Sequence, residues 1–291
     1  GGGPWGFGLM RKFYIIANTE KERAKQAKDE IAAYLEARGC TCKSSKRAFS
    51  GQNHYTEPDE VPEDTECVIT LGGDGTLIQA ARDLAGRNLP IIGINMGTLG
   101  YLTQIAGTDD IESHLDALIE DRYQIEERMM LTGRVYHNGV MTAENIALND
   151  IVLTREGPLR VLKFRIYVDG ELLNVYSADG MIVATPTGST AYNLSAGGPI
   201  AAPGAKLMIL TPVSPHTITS RSIVLEAGSK IRLEISRANS GGQTAAFDGD
   251  SYVGLEQGDF IDIEKSELVT RVVKLDQRSF LEILKHKMFE E

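Results

Sequence analysis

The chain has 291 residues, 42% of them hydrophobic, and its 30 basic and 40 acidic side chains give a formal net charge of −10. That length buries a large core in two domains more readily than in one, and the acidic balance disfavours a nonspecific grip on nucleic acid or an anionic membrane. No apolar run approaches the roughly 20 residues that span a bilayer, and Cys40, Cys42 and Cys67 offer no C-x-x-C pair or even disulfide framework, so a cytoplasmic protein is expected.

Residues 1–9, rich in glycine, read as a disordered leader or a non-native extension ahead of Met10. Their accidental G-x-G-x-x-G at Gly1, Gly3 and Gly6 has no strand before it and no helix after it, so it is rejected as a dinucleotide fingerprint. Lys12 to Ala17 reads as a strand. Glu20 to Arg38 reads as an amphipathic helix stopped by Gly39, with Ala24, Ala27, Ile31, Ala32, Tyr34 and Leu35 on its apolar face. The polar stretch from Ser44 to Asp64, with Pro58 and Pro62, reads as an extended and mobile loop.

Cys67 to Leu71 is a buried strand by its β-branched apolar run, and Leu77, Ile78, Ala80, Ala81, Leu84 and Ala85 follow at helical spacing. Gly72-Gly73-Asp74-Gly75-Thr76 is therefore a strand-to-helix turn. Its glycines allow unusual torsions and let an anion approach main-chain N–H groups at a helix N-terminus, which describes a phosphate cradle. A carboxylate placed there repels phosphate unless it accepts a proton or helps hold a cation, which singles out Asp74. The alternative is an ordinary βα turn with Asp74 and Thr76 as helix caps.

Leu89 to Asn95 reads as the next strand, leading into the glycine-bearing stretch Gly93 to Tyr101, and Ile111 to Glu120 as a helix. Alternating strands and helices predict a mostly parallel, Rossmann-like α/β domain over 10–130, with ligands beyond the carboxyl ends of its strands. From 131 to 274 the turn dipeptides Asn138-Gly139, Asp169-Gly170, Asp179-Gly180 and Asp248-Gly249 punctuate β segments, so a β-rich domain is expected. Its candidate strands are Leu131 to Tyr136, Arg160 to Val168, Met181 to Ala184, Lys206 to Leu210, Lys230 to Ile235 and Phe260 to Glu264. Leu275 to Lys287 reads as a closing helix, within a segment 275–291 that returns to the first domain.

Two further stretches bear on chemistry. Asn149-Asp150 pairs an amide with a carboxylate, suited to vicinal ribose hydroxyls or to a base edge, with a hairpin turn as the alternative. Asp179 to Ile200 runs from a strand into a turn dense in hydroxyls and poor in bulk, offering donors to a polar ligand. Lys163, Arg155, Arg160 and Arg165 form a basic group that reads better as a solvated strand face than as a pyrophosphate site. The scattered histidines give no metal-ligand spacing, and no G-x-x-x-x-G-K-[ST] occurs, which excludes a P-loop.

GGDGT at Gly72 to Thr76, Asn149-Asp150, TPTGSTAY at Thr185 to Tyr192 and SAGGPI at Ser195 to Ile200 together resemble the NAD kinase family, from about Met10 to the C-terminal helix. The resemblance implies phosphoryl transfer from ATP or polyphosphate to the adenosine-ribose 2′-hydroxyl of NAD, with Mg²⁺ bound mainly through the donor phosphates. It implies Asp74 as the base, with Gly72, Gly73, Gly75 and Thr76 around the phosphates and Tyr101 as an aromatic wall. Asn149 and Asp150 would hold ribose hydroxyls, Thr187, Thr190, Ala191, Tyr192 and Ser195 would line the NAD pocket, and Asp179 and His216 would lie near it. Met96 stands where some bacterial relatives carry Arg. A homo-oligomer, dimer or tetramer, assembled through the β-rich domain is also implied. A lipid kinase shares GGDGT, but that substrate calls for membrane access, the sequence offers neither a basic amphipathic helix nor a strong hydrophobic surface segment, and the Thr185 to Tyr192 segment also argues against it. The other alternative, a silent NAD(P)-binding sensor, leaves Asp74 without work.

Overall fold

The computed structural model describes residues 9–17, 22–45, 56–97, 100–103, 105–107, 110–157, 161–216, 220–239, 241–275 and 279–289. Residues 1–8, Thr98, Leu99 and Arg160 therefore lie outside it. The chain forms two compact units, one up to Glu127 and again from Val269, the other Arg128–Leu268.

The first unit contains β1 (Lys12–Ala17), α1 (Glu22–Ala37), β2 (Thr41–Ser44), β3 (Cys67–Gly72), α2 (Asp74–Asp83), β4 (Pro90–Asn95), β5 (Ile105–Ala106), α3 (Ile111–Ile119) and the start of β6 (Gln124–His137). Its strands run in the order β2-β1-β3-β4, and every pairing among them is parallel. Arg271 and Val272, near the end of the last strand, add in parallel beside Pro90 and Ile91. β1, β3 and β4 are buried almost throughout because helices and loops cover both faces, which is why they read as continuous apolar runs. Ile15, Ile69, Leu71, Ile92 and Ile94 form the centre of this core, each stabilising it by about 1.5–3 kcal/mol. The chain order reverses between β1 and β3, the topological switch point at which such sheets take ligands. Gly72 ends β3 directly beside Asn95, which ends β4.

The second unit continues with β7 (Val140–Ala147), β8 (Asp150–Arg155), β9 (Leu162–Val168), β10 (Glu171–Ala178), β11 (Gly180–Ala184), a single turn α4 (Tyr192–Ser195), β12 (Leu207–Val213), β13 (Ile223–Glu226), β14 (Ile231–Ile235), β15 (Gln243–Phe247), β16 (Ser251–Leu255) and β17 (Phe260–Lys274). One antiparallel layer runs β10-β9-β14-β17 and the other β13-β12-β11-β8-β15-β16. Leu162, Phe164 and Ile166 alternate inward against exposed Lys163 and Arg165, the two-residue period of a sheet with one wet face. β11 is instead buried on both faces. Met181 and Val183 join the core between the layers, while Ile182 and Ala184 join a second cluster packed by Ala196 and Ala201. The segment after β11 thus roofs the outer face of the six-stranded layer.

Several expectations need correction. The described part of the supposed mobile loop contains a 3-10 turn at Pro58–Glu60, and the Arg87 guanidinium pins it by donating to the carbonyls of Pro58, Val61 and Pro62 at 2.7, 3.0 and 2.9 Å. β2 is too short and polar to show periodicity. The last strand has 15 residues rather than the five expected, and β7, β8, β10, β13, β15 and β16 go beyond the candidate strands read from the sequence. The closing helix α5 is Phe280–Phe289, not Leu275 to Lys287. It begins at a reciprocal cap, in which Ser279 Oγ accepts from the Glu282 N–H and Glu282 accepts from the Ser279 N–H.

Candidate functional site

In the first unit the candidate residues gather at the end of β3. Gly73 is the N-cap of α2, so the first amides of the helix have no intrahelical acceptor and point their dipole toward the turn. None of the three glycines has a positive φ, so the unusual torsions expected of them are absent. Their reason is space. A Cβ on Gly72 would stand 2.1 Å from Thr76 Oγ1, whereas Cβ atoms on Gly73 or Gly75 would meet nothing within 4 Å. The turn is compressed on its protein side and open on the other, as a cradle for an anion requires.

Asp74 does not cap its helix, which overturns the capping alternative. Its carboxylate reaches the stretch after β4, accepting the N–H of Tyr101 at 2.7 Å on one oxygen and those of Leu102 and Thr103 at 3.2 and 3.1 Å on the other. Gly100 is confined by the same contact, because a Cβ there would lie 1.9 Å from that second oxygen. A carboxylate has about four acceptor sites. Among the described residues three are taken, which leaves the fourth for one further donor. Tyr101 is half-buried, and burial, then the nearby Asp74 charge, raises its phenol above the ordinary range. Lys287 of α5 places its ammonium 5.1 Å from the Tyr101 ring centroid, a cation–π contact.

In the second unit Asn149 sits between β7 and β8, held by its backbone. Asp248, in the turn between β15 and β16, accepts the N–H groups of Leu148, Asn149 and Asp150 at 2.8, 2.7 and 3.1 Å. From the other side, Thr185 donates its N–H to the Asn149 carbonyl at 2.8 Å and its hydroxyl to the Leu148 carbonyl at 2.6 Å. Asn149 and Asp150 line a pocket of about 410 Å³ with Ala191, Tyr192, Asp248 and Tyr252. Asp150 is only 4% exposed. Burial, then the Asp248 charge, pushes its carboxyl up to about 7.

That shift makes stability pH-dependent. Folded Asp150 keeps its proton up to about pH 7, while the unfolded chain releases it near about pH 4. Its contribution is therefore greatest below about pH 4 and is lost as pH rises through 7. Asp150→Asn removes the titration, so the variant should gain about 5 °C or more in Tm over the parent at pH 8 and little at pH 5. Thermal melts at both pH values check this; an equal change at both would contradict the burial of a charge there.

The hydroxyl-rich turn is mostly self-satisfied. Thr185 Oγ1 also accepts the Gly188 N–H at 3.0 Å, Ser189 Oγ donates to Pro186 and accepts from Ala201, and Thr190 Oγ1 donates to the Thr187 carbonyl. Asn193, fully buried, ties Ser189 to Pro199 and accepts from Thr211. Thr185, Ser189 and Thr190 thus spend their hydroxyl protons on the backbone, so the density of hydroxyls serves the turn itself as well. Tyr192 and Ser195 are exposed and Ala191 half-exposed. Thr187 receives a contact that the sequence does not announce, from the buried Arg128, whose Nη1 lies 3.4 Å from its hydroxyl.

Asp179 and His216 are not brought to this pocket. Asp179 precedes β11 and Thr185 follows it, so five residues at about 3.3 Å each separate the two. Asp179 accepts from Arg155 Nε at 2.8 Å, and His216, exposed, donates its backbone N–H to Ser177. Arg165 is paired with Glu234 at 3.0 Å, so two of the four basic residues read as a solvated face are in ion pairs.

Comparisons with known proteins converge. The profile of the ATP-NAD kinase N-terminal domain matches residues 13–123, and that of the ATP-NAD kinase C-terminal domain matches 148–275. An NAD kinase of Lachnospira eligens is 44% identical over 294 residues, covering 96% of this chain and all of the relative. One of Agathobacter rectalis is also 44% identical, covering 96% of this chain and 99% of the relative. Among solved structures, an Archaeoglobus fulgidus NAD kinase in complex with ATP superposes with a TM-score of 0.75 at 26% identity, covering 96% of this chain and 99% of its own. A yeast NADH kinase complexed with NADH superposes at 0.83 with 22% identity, over 97% and 88% of the two chains, a likeness of fold.

Proposed function

The chain belongs to the NAD kinase family and is a phosphotransferase of that family, and from this premise we propose that it moves the γ-phosphoryl group of ATP to the adenosine-ribose 2′-hydroxyl of NAD, releasing ADP and NADP. The observation that carries the reading is Asp74: a half-exposed carboxylate at the mouth of an open glycine turn, with three acceptor sites used on backbone amides and one to spare.

In this reading the spare site takes the 2′-hydroxyl proton as the phosphoryl group moves, and the three amide bonds fix the direction in which the carboxylate points. The open faces of Gly73 and Gly75 and the amides at the start of α2 receive donor phosphates. Asn149, whose backbone is clamped from two sides, offers its side-chain amide to the acceptor, and Ala191 and Tyr192 wall the pocket it lines. Asp150 lines the same pocket, and in this reading Thr187 and Ser195, on the segment that carries Ala191 and Tyr192, extend the surface offered to NAD, while Asp179 and His216 take no part in it within the same chain.

Mg²⁺ fits this donor set when the nucleotide supplies most of its ligands. Among the described residues no three carboxylate, imidazole or thiol side chains converge, and Mg²⁺ accepts one carboxylate together with phosphate oxygens and waters. Donor phosphates and waters would hold it, which leaves the spare site of Asp74 to the 2′-hydroxyl, and the ion would offset phosphate charge. We further propose a cytoplasmic homo-oligomer: the three cysteines are free thiols, and β10, at the end of its layer, exposes Leu172, Leu173 and Val175, an apolar edge that a second copy of the chain would cover.

The test is direct. Purified protein with NAD, ATP and Mg²⁺ is expected to form NADP, read through an NADP-specific dehydrogenase, and parallel reactions with polyphosphate or with NADH assign donor and acceptor. Absence of product from every pairing, with NAD binding intact, would replace the reading with that of a silent sensor.

A further inference from the structure

The Asp248-Gly249 dipeptide reads in the sequence as a hairpin turn and nothing more. In the structure Asp248 adopts φ +52° between β15 and β16, and its side chain leaves the turn altogether. It crosses to residues about one hundred positions earlier, where its two oxygens accept three successive amides, those of Leu148, Asn149 and Asp150. Its own N–H donates to the Asp150 carbonyl at 3.0 Å. A hairpin needs none of these bonds. Three consecutive amides turned toward one carboxylate form an anion nest, and bonds to an ionised acceptor are roughly twice as strong as neutral ones.

The arrangement has a cost that points to a purpose. Holding a second carboxylate beside the buried Asp150 is unfavourable, and a neutral acceptor would close the same turn. What the charge secures is the path of the backbone through Asn149. No hydrogen bond holds the Asn149 side-chain amide among the described residues, so its direction is set by that backbone, gripped by Asp248 on one side and by Thr185 on the other. We propose that Asp248 is a positioning residue for the acceptor substrate, holding Asn149 and Asp150 in the geometry that binds NAD without itself reacting. The proposal rests on the reading of the Asn149 pocket given above.

Asp248→Asn keeps the shape, removes the charge and turns one accepting atom into a donor that faces an amide. The Kd for NAD, by calorimetry, is expected to rise about tenfold, with the Kd for ATP within twofold and Tm within a few degrees. Exchange of the amides at 148–150 should quicken by a similar factor. In an Asn149→Ala background the same substitution should add little to the loss of NAD affinity, because the two residues act in series. Asp248→Glu, which keeps the charge on a longer arm, should recover part of the affinity. An unchanged Kd for NAD, full additivity with Asn149→Ala, or equal losses for NAD and ATP would each overturn the proposal. Should Asp248→Asn fail to fold, Asp248→Glu and its cycle with Asn149→Ala decide between the same outcomes. Because Kd is read directly, a protein that binds NAD but forms no NADP would refute the functional reading and leave this one to be judged on binding.

Discussion

Asp74→Asn is expected to lower kcat for NADP formation by about 10²- to 10⁴-fold, the usual contribution of a positioned general base, while both substrates still bind. The substitution is nearly isosteric, yet its amide can accept for only one of the two oxygens. Oriented to keep the bonds from Leu102 and Thr103, it would turn an –NH₂ toward the Tyr101 N–H that now lies 2.7 Å from the carboxylate. Some loosening of the 100–103 segment is therefore built into the variant, and Kd values for NAD and ATP must be measured beside kcat. A large fall in kcat with both Kd values within about threefold assigns proton acceptance to Asp74. A turnover within tenfold of the parent would remove Asp74 from the chemistry and leave it as the anchor of the Tyr101 segment.

The second large effect concerns Gly188→Ala. A Cβ there would stand 2.0 Å from the Asn149 carbonyl oxygen, 2.5 Å from its carbon and 2.7 Å from its Cα. All three are backbone atoms, so no rotamer relieves the clash. The turn must retreat from the β7–β8 connection, breaking the Thr185 bonds to Leu148 and Asn149 and opening the pocket. We expect a stability loss of about 3 kcal/mol or more together with loss of measurable NAD binding. A denaturant titration and a calorimetric titration with NAD check the two parts. A variant with parental stability would show that the turn can yield without cost, which its buried hydroxyl bonds argue against.

The parts of the fold that the sequence reveals are those where one physical rule dominates. β1, β3 and β4 are legible because both faces are buried and the apolar run is unbroken. β9 and β14 are legible because one face is wet and the alternation is clean. β7 and β10 fail that test: Val140, Met141, Leu172, Leu173 and Val175 are exposed, so apolar residues fall where a period-two reading wants polar ones. The start of α5 carries a readable signal in the Ser279 and Glu282 cap, but the apolar residues around it extend the helical pattern past that boundary.

The site divides in the same way. Asp74 stands out because a carboxylate inside a glycine turn contradicts the local chemistry, and Asn149-Asp150 because the pair recurs in a known family. Asp248 and Arg128 are invisible for a different reason. Each acts on a residue far away in the chain, Asp248 on Leu148 to Asp150 and Arg128 on Thr187, and nothing in the local pattern of a hairpin or a strand reports such a bond. The hydroxyls of Thr185, Ser189 and Thr190 are legible as hydrogen-bonding groups but not in their direction, since a turn and a ligand use the same donors.

The segment from Thr185 to Ala201 roofs an apolar sheet face as well as bordering the pocket, with Ala196 and Ala201 packed on Ile182, Ala184 and Ile209. Lifting that segment to admit a ligand would wet the sheet beneath it, so such a movement costs apolar burial. If the pocket takes a dinucleotide as proposed, the ligand meets a surface already packed on the sheet, and association there forfeits little conformational entropy. By the same coupling, a small molecule that fills the pocket holds down a structural lid and should resist unfolding of the whole β-rich unit.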